Sequence, residues 1–571
     1  MLTDLFKQNL NQKKHIIQVA QGEIKADLVL KNATYLNVFS NELLTADIAI
    51  VDGKIAGIGA YSGDLELDLE KKIVCPGFID AHIHLESSLV VPAEFAKAVL
   101  PHGTTTVITD PHEIANVMGT DGIEYMLEAT DGLPLDVFFM LPSCVPATDF
   151  DESGAKLYAK DIEPYFDNPR VLGLAEMMNF YGVIHCDETV IEKLTMADIK
   201  GAMIDGHGPG LMGKELNAYA AAGVRSDHEC ASLEEAIEQL RHGQVIQMRE
   251  GTAAKNLEAL HPLLKMGYED KCVFCTDDKH PNDLLEKGHM DYIVKRAIRE
   301  FDIDPIIAVK AASYYVAKHY GLRDRGAICP GYVADLVVVD NLENFRIESV
   351  FKNGVPVYQG GKLDSINEPT ISEALEQSAE NTFLVKQVTA KDFENVEALR
   401  CIGILPGTIV TKDAGYAEKI DLTKDILKIA VVERHKGTGH IGLGFLQGFG
   451  LKEGAIATSI AHDSHNIIVV GTSEEDMAYA VNKIVENQGG IVVTGVAEDE
   501  AKTITGEVML EIAGLMSRQS LTVINEKLEQ AKEMAYKQGV TEGVDPFMAL
   551  SFMSLPVIPE VKITTVGVVK I

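Results

Sequence analysis

No block of basic residues occurs anywhere in the 571-residue chain. Lys and Arg number 51 against 85 Asp and Glu, a formal charge of −34. Binding a polyphosphate backbone needs clustered cations, so a nucleic acid polymer is not an expected partner, and the acidic balance reads as solubility. Long hydrophobic runs are also missing. None approaches the roughly 20 residues that span a bilayer, so a membrane is not an expected partner either. The N-terminal segment MLTDLFKQNLNQKKHIIQVAQGE has no apolar core followed by a small-residue cleavage site. It reads as a short amphipathic helix rather than a signal peptide, and the cytoplasm is the expected location. The eight cysteines are too scattered for the disulfide framework of a secreted domain. Cys272 and Cys275 do form a C-x-x-C. However, KCVFCTDD reads as a buried strand, in which positions three apart face opposite sides. Neither joint chelation nor a disulfide is expected of them. Low-complexity tracts and tandem short repeats are absent too.

What is present is an ordinary globular composition, 46% apolar and 24% charged, in a chain long enough for several domains. Residues 26–60 alternate apolar and polar positions around a hairpin turn, VDGK. A related pattern returns at 331–362, with KNGV as its turn and ADLVVVD echoing ADLVL. Two such segments flanking a long insert predict one small β-sandwich domain built from both. The insert of about 250 residues has the usual length of a TIM barrel. It contains eight apolar runs: GFIDAHIH, TTTVITD, DVFFMLPS, VLGLAE, AMIDGH, VRSDH, VIQMRE and CVFCTD. Helical patterns separate them, several ending in Gly, and this alternation predicts parallel strands. The expected class is α/β, with a (β/α)8 TIM-like barrel at 76–325. The small β domain is expected at 1–75, after the N-terminal helix, and at 326–365. A further α/β or α+β domain is expected at 366–571.

The ends of these runs carry the chemistry. Read as a strand, Gly77 to Glu86 puts His82, His84 and Glu86 on one face, and two imidazoles at that spacing can reach one metal ion. Polar residues close other runs: Asp110, Glu176, His207, His228 and Asp277. The C-terminal ends of barrel strands are where such enzymes place their reacting groups. Helix capping explains Asp110 or Asp277 singly, but it explains four strand-end histidines poorly.

The order His-x-His, carboxylate, His, His, Asp, spread over runs 1, 4, 5, 6 and 8, resembles the amidohydrolase superfamily of metal-dependent hydrolases and deaminases. Within it, the chain is similar to the bacterial adenine deaminase family over nearly its whole length. The motifs are PGFIDAHIHLESS, GTTTVITDPHEIANV, GLAEMMNF, DGHGPG, SDHE and FCTDDKHP, with RHKGTGHIGLGFLQGFGL and DPFMALSFMSLPVIPE towards the C-terminus. The resemblance implies hydrolysis of adenine to hypoxanthine and ammonia, in purine salvage. It implies two divalent metals held by His82, His84, Glu176, His207, His228 and Asp277. Many superfamily members bridge two metals through a carbamylated lysine on the fourth strand. VLGLAEMMNF has no lysine, and Glu176 stands in that place. A divalent metal lowers the pKa of bound water and makes hydroxide available for attack at C6 of adenine. Asp277 would take the proton and help deliver it to the leaving amine, as carboxylates do in nucleobase deaminases. Asp277 and Glu176 are thus the expected catalytic residues. The family suggests manganese or iron, and the ligand types suit zinc as well. A homo-oligomer is expected.

Asp278 follows Asp277 in a Thr-Asp-Asp similar to that of adenosine deaminases, where the second Asp contacts a purine ring nitrogen. The alternative is a helix N-cap. Glu86, Asp110, His112 and Glu113 are candidates for contact with substrate or support of a further metal, against a plain role in the loops. Arg249 reads as an ion-pair partner of a neighbouring carboxylate. GTGHIG at 437–442 matches G-x-G-x-x-G, but more glycines follow and no helix starts, so a dinucleotide site is not expected. AHDSHN, with Asp463 and His465, reads as a hydrogen-bonded domain interface, with a lid over the barrel mouth as the alternative. The competing functions are another nucleobase deaminase or a cyclic amidohydrolase of dihydroorotase or hydantoinase type. A barrel that has lost catalysis and serves as a scaffold is the remaining alternative, though every expected ligand position is filled.

Overall fold

The structure is a computed structural model that describes residues 2–571 apart from 149, 151, 406, 407, 409 and 497–501. Strands from both flanks of the barrel join in one nine-stranded sheet. Ile73–Pro76 from the first flank pairs antiparallel with Leu336–Val339 from the second. Alternation then sorts the side chains. Leu336 and Val338 enter the sheet's own core with Leu30 and Ile48. Val337 and Val339 face the barrel core with Phe78. Both expected hairpins form: Asp52–Gly53 and Asn353–Gly354 have positive φ at both central positions, which matches the twist of the strands they join. Leu2–Ala20 is a helix, as the sequence predicts.

The eight apolar runs become eight strands: β1 (Phe78–Ile83), β2 (Thr104–Thr109), β3 (Asp136–Leu141), β4 (Val171–Met177), β5 (Met203–Gly206), β6 (Ser226–Asp227), β7 (Val245–Arg249) and β8 (Cys272–Cys275). β1 to β5 form one sheet and β6 to β8 another, and every pairing is parallel. Two seams close the ring. Arg225 N–H donates to the Ile204 carbonyl at 3.0 Å beyond β5, and Asp277 N–H donates to the His82 carbonyl at 2.9 Å between β8 and β1. One expectation needs correction. The strand predicted over Gly77 to Glu86 stops at Ile83, and Leu85–Ser88 is a short 3-10 turn closed by Leu89 at φ 60°. Leu85 and Leu89 turn into the apolar core and pull the chain out of the strand. Cys272 and Cys275 are buried and free, as expected.

The C-terminal region contains an eight-stranded sheet. Its neighbours are antiparallel except Leu399–Ile404 with Ile441–Gln447, so of the two expected classes it is α+β. Its central strand Ile467–Gly471 is buried on both faces. Ile467 and Val469 pack in the cluster of helix Glu474–Glu486, while Ile468 and Val470 lie in a core continuous with barrel residues. GTGHIG lies between two antiparallel strands, where the Glu433 carboxylate accepts N–H bonds from His435, Lys436 and Thr438. The loop that precedes Ile467 runs to the mouth of the barrel.

Candidate metal centre and active site

His82 lies in β1 and His84 just after it, and both are buried. Their rings sit 4.8 Å apart, nearly perpendicular, and His82 stacks on His228 at 4.4 Å. Glu176 at the end of β4 stands among five imidazoles, those of His82, His84, His112, His207 and His228. Its Oε1 is 3.7 Å from His82 Nε2 and 3.2 Å from His84 Nε2. Its Oε2 is 2.7 Å from His207 Nδ1 and 3.2 Å from His228 Nε2. Oε1 also lies 3.8 Å from His112 Nδ1, but Asp110 engages that nitrogen, so each carboxylate oxygen faces its own pair of available histidines. Asp277 Oδ1 adds a further donor, 3.8 Å from His82 Nε2 and 3.3 Å from His84 Nε2. Two ligands about 2.1 Å from one ion at tetrahedral angles lie about 3.4 Å apart. The donor spacings cluster around that value, and buried His82 Nε2 has no hydrogen-bond partner. The residues fit divalent metal.

The electrostatics follow from burial opposed by mutual attraction. Burial, reinforced by His228, pushes His82 down to about 3. Burial alone would also lower His84 and His228. Hydrogen bonds from His84 to Asp277 and Glu176 instead hold it well above the usual range, and the Glu176 charge lifts His228 to about 9. Burial would raise Glu176, but His228 and hydrogen bonds from His207, His228 and His84 hold it well below the ordinary carboxylate range.

Asp277 has φ 57°, a left-handed conformation uncommon for a non-glycine residue. This bend turns the chain from β8 across the mouth. Arg249, from β7, donates to Asp277 Oδ2 at 2.7 Å and grips Glu229 with both terminal nitrogens, at 2.6 and 2.9 Å. It is the ion-pair partner that the sequence suggests. Behind the ligands, Asp80 accepts from Thr276 N–H at 3.0 Å and Thr276 Oγ1 at 2.5 Å, tying β8 to β1. His289 Nε2 lies 3.3 Å from Asp80. Sequence reasoning missed this support. Asp80 shares the period-two face of His82, but it lies before the C-terminal end of the strand, where polar residues were sought.

Asp278 accepts from Ser87 Oγ at 2.5 Å and does not cap the next helix, Pro281–Glu286, whose N-cap is His280. Glu86 is not on the His82 face, since the strand has ended. Its Oε1 accepts from Ile114 N–H at 3.2 Å while its Oε2 is buried without a partner. Burial, together with the nearby Glu113 charge, pushes Glu86 up to about 7. Asp110 Oδ2 lies 2.8 Å from His112 Nδ1, and the Asp110 carbonyl lies 3.1 Å from His84 Nδ1, which orients both rings. Glu113 meets the C-terminal domain. His462 Nδ1 lies 2.9 Å from its Oε1, and His465 Nε2 bonds its Oε2. So His465 makes the interface bond that the sequence suggests, whereas Asp463 turns into the barrel mouth instead. His462 was not singled out by the sequence; the only available signal was its His-x-x-His spacing to His465.

A cavity of about 280 Å³ opens at this mouth. His84, Glu176, Asp277 and Asp278 line its polar side, and Phe180 and Phe552 are among its apolar walls. Glu86 and Asp110 are not among the residues that line it. That volume is near the lower end of the range for small-molecule sites, about 300–1,000 Å³.

Comparison with known proteins now places the chain. Residues 73–357 match the amidohydrolase family, and residues 408–571 match the adenine deaminase C-terminal domain. The chain is a metal-centre barrel hydrolase of the amidohydrolase class. It is 46% identical over 569 residues to an adenine deaminase of Desulfatibacillum aliphaticivorans, covering 97% of each chain. It is 45% identical over 569 residues to that of Clostridium acetobutylicum, again covering 97% of each. The chain belongs to the adenine deaminase family. Among solved structures it resembles an adenine deaminase (18% identity, TM-score 0.45, 59% of this chain and 100% of the other) and an enamidase (18%, TM-score 0.46, 60% and 100%). Membership of the amidohydrolase family implies a divalent metal, and buried His, Asp and Glu groups able to hold one are present. Among the described residues, no helix is long and apolar enough to cross a membrane.

Proposed function

We propose that this chain hydrolyses adenine to hypoxanthine and ammonia at a two-metal centre, in purine salvage. The observation that carries this reading is Glu176, whose two oxygens each face a separate pair of available histidines, the arrangement of a bridging ligand. His82, His84 and Asp277 would complete one metal site and His207 and His228 the other, with manganese or iron the metals favoured by the family. Bound divalent metal supplies an activated water at neutral pH. Asp277, oriented by Arg249, would hold the proton given up by the attacking water and pass it to the departing amine. Asp278, held by Ser87, faces a ring nitrogen. Asp110 orients His84 and His112, and Glu113 shapes the wall towards the C-terminal domain, with Glu86 behind it on Ile114 N–H. The hydantoinase-type alternative needs a free arginine for a substrate carboxylate, and Arg249 is engaged by Glu229 and Asp277.

The four-part division at residues 75, 325 and 365 belongs to the same reading. So do a cytoplasmic location, assembly as a homo-oligomer, and action on a small molecule rather than on nucleic acid or a membrane. The test is ammonia release from adenine, adenosine, cytosine, guanine and dihydroorotate by protein loaded with manganese or ferrous iron. Metal content is measured on the same sample. Turnover of adenine alone with about two metals per chain is expected. Metal binding without adenine turnover would refute the substrate and leave the barrel site in need of another ring.

A further inference from the structure

The loop between Ala455–Thr458 and Ile467–Gly471 carries a charge that neither the metal centre nor the domain contact uses. Asp463 is 4% exposed, its Oδ2 is buried without a hydrogen-bond partner, and it lines the reaction cavity with His84, Glu176 and Asp277. Its neighbours in the loop are committed. His462 and His465 both bond Glu113, which anchors Asp463 at the mouth. A buried carboxylate oxygen without a donor is costly, and the residue that carries it lines the space a substrate would fill.

We propose that Asp463 is a specificity residue that accepts a hydrogen bond from the imidazole N–H of the purine. This rests on the adenine reading above. The chemistry follows by elimination. A carboxylate accepts hydrogen bonds, and a free adenine base offers only two kinds of N–H. The exocyclic amine must face the metal ligands, because it is the group that leaves. The imidazole N–H remains. A nucleoside bears its sugar on N9 in place of that proton, so the contact distinguishes a free base from a nucleoside. Sites built to pair a polar group discriminate strongly against analogues that lack it.

The test compares wild-type holoenzyme with Asp463→Ala, which removes the acceptor that Asn would keep. The expected loss of kcat/KM for adenine is about 10- to 100-fold, carried mainly by KM, the range for a hydrogen bond to a charged group. Inhibition constants for 9-methyladenine and 7-methyladenine should change far less, so the preference for the unmethylated base shrinks by a similar factor. Metal content should stay at the wild-type level. An unchanged kcat/KM would overturn the proposal, as would a loss of activity that leaves the base-over-methylated-base preference intact. If the variant fails to fold, the wild type decides alone, by calorimetric titration with hypoxanthine and 9-methylhypoxanthine. Equal affinities overturn the contact, and a preference of about 10-fold or more for hypoxanthine supports it. Absence of adenine turnover by the wild type would instead overturn the function on which the contact rests.

Discussion

At the barrel mouth, buried acids and bases face one another. In the C-terminal domain, two buried cations, Arg434 and Lys562, face carbonyl groups. Glu176, Asp277, His84 and His228 hold each other charged against the pull of burial. Arg434, fully buried, donates to the carbonyls of His465 and Ala513 and to Thr382 Oγ1, with its guanidinium over the Phe383 ring. Lys562 donates to the Phe552 carbonyl at 2.9 Å. Neutral carbonyls stabilise a cation less than a carboxylate does, so burial lowers both pKa values, Lys562 to about 7. The same low-dielectric interior therefore preserves charge in one region and discourages it in the other. A concentration of mutually perturbed acids and bases is the mark of a reacting site. Buried cations held by main-chain carbonyls are marks of scaffold.

The largest expected effect tests the first half of this contrast. Asp277→Asn keeps the shape and removes the proton acceptor, so kcat should fall about 10²- to 10⁴-fold with the fold and most metal retained. Full activity in a steady-state assay would take the proton role away from Asp277. Glu176→Gln removes the charge that faces both histidine pairs. Bound metal should drop from about two per chain to one or fewer, measured by elemental analysis, and two retained metals would show that Glu176 does not bridge.

The smallest effect tests the second half. The Lys562 pKa is about 7 in the folded protein against an ordinary 10.5. Below pH 7 the ammonium is charged in both states, and the penalty for burying it is present in full. Between 7 and 10.5 the unfolded chain keeps a proton that the folded chain has released, so wild-type stability rises with pH. Lys562→Met should therefore gain most over the wild type below pH 7, with the gap closing towards pH 10.5. Denaturant midpoints at about pH 6 and about pH 9 read this out. A gap that does not change with pH would mean that Lys562 stays charged in the fold.

The parallel strands and their polar ends were legible because each depends on a short window of sequence. Apolar runs mark β1 to β8, and the polar residue that closes a run marks the mouth. Both hairpins were legible for the same reason, from Asp-Gly and Asn-Gly. The end of β1 was not, because Leu85 and Leu89 leave the strand to reach a core assembled from distant elements. Nor was the Glu113 contact, whose partners lie 349 and 352 residues away. Asp463 was visible only as part of a polar cluster. Its place in the cavity depends on how the C-terminal sheet packs on the barrel. The class of that sheet stayed open between α/β and α+β because strand and helix windows alone do not fix whether neighbouring strands run parallel.

The late position of the Glu113 contact also orders events during synthesis. The last helix of the barrel itself ends at His319, and every metal-site residue precedes it. His462 and His465 leave the ribosome roughly 150 residues later, an interval of about 7–30 s at about 5–20 residues per second. For that interval the growing chain holds a complete set of donors beneath an open mouth. Capture of the ion can thus precede the arrival of the segment that shields it.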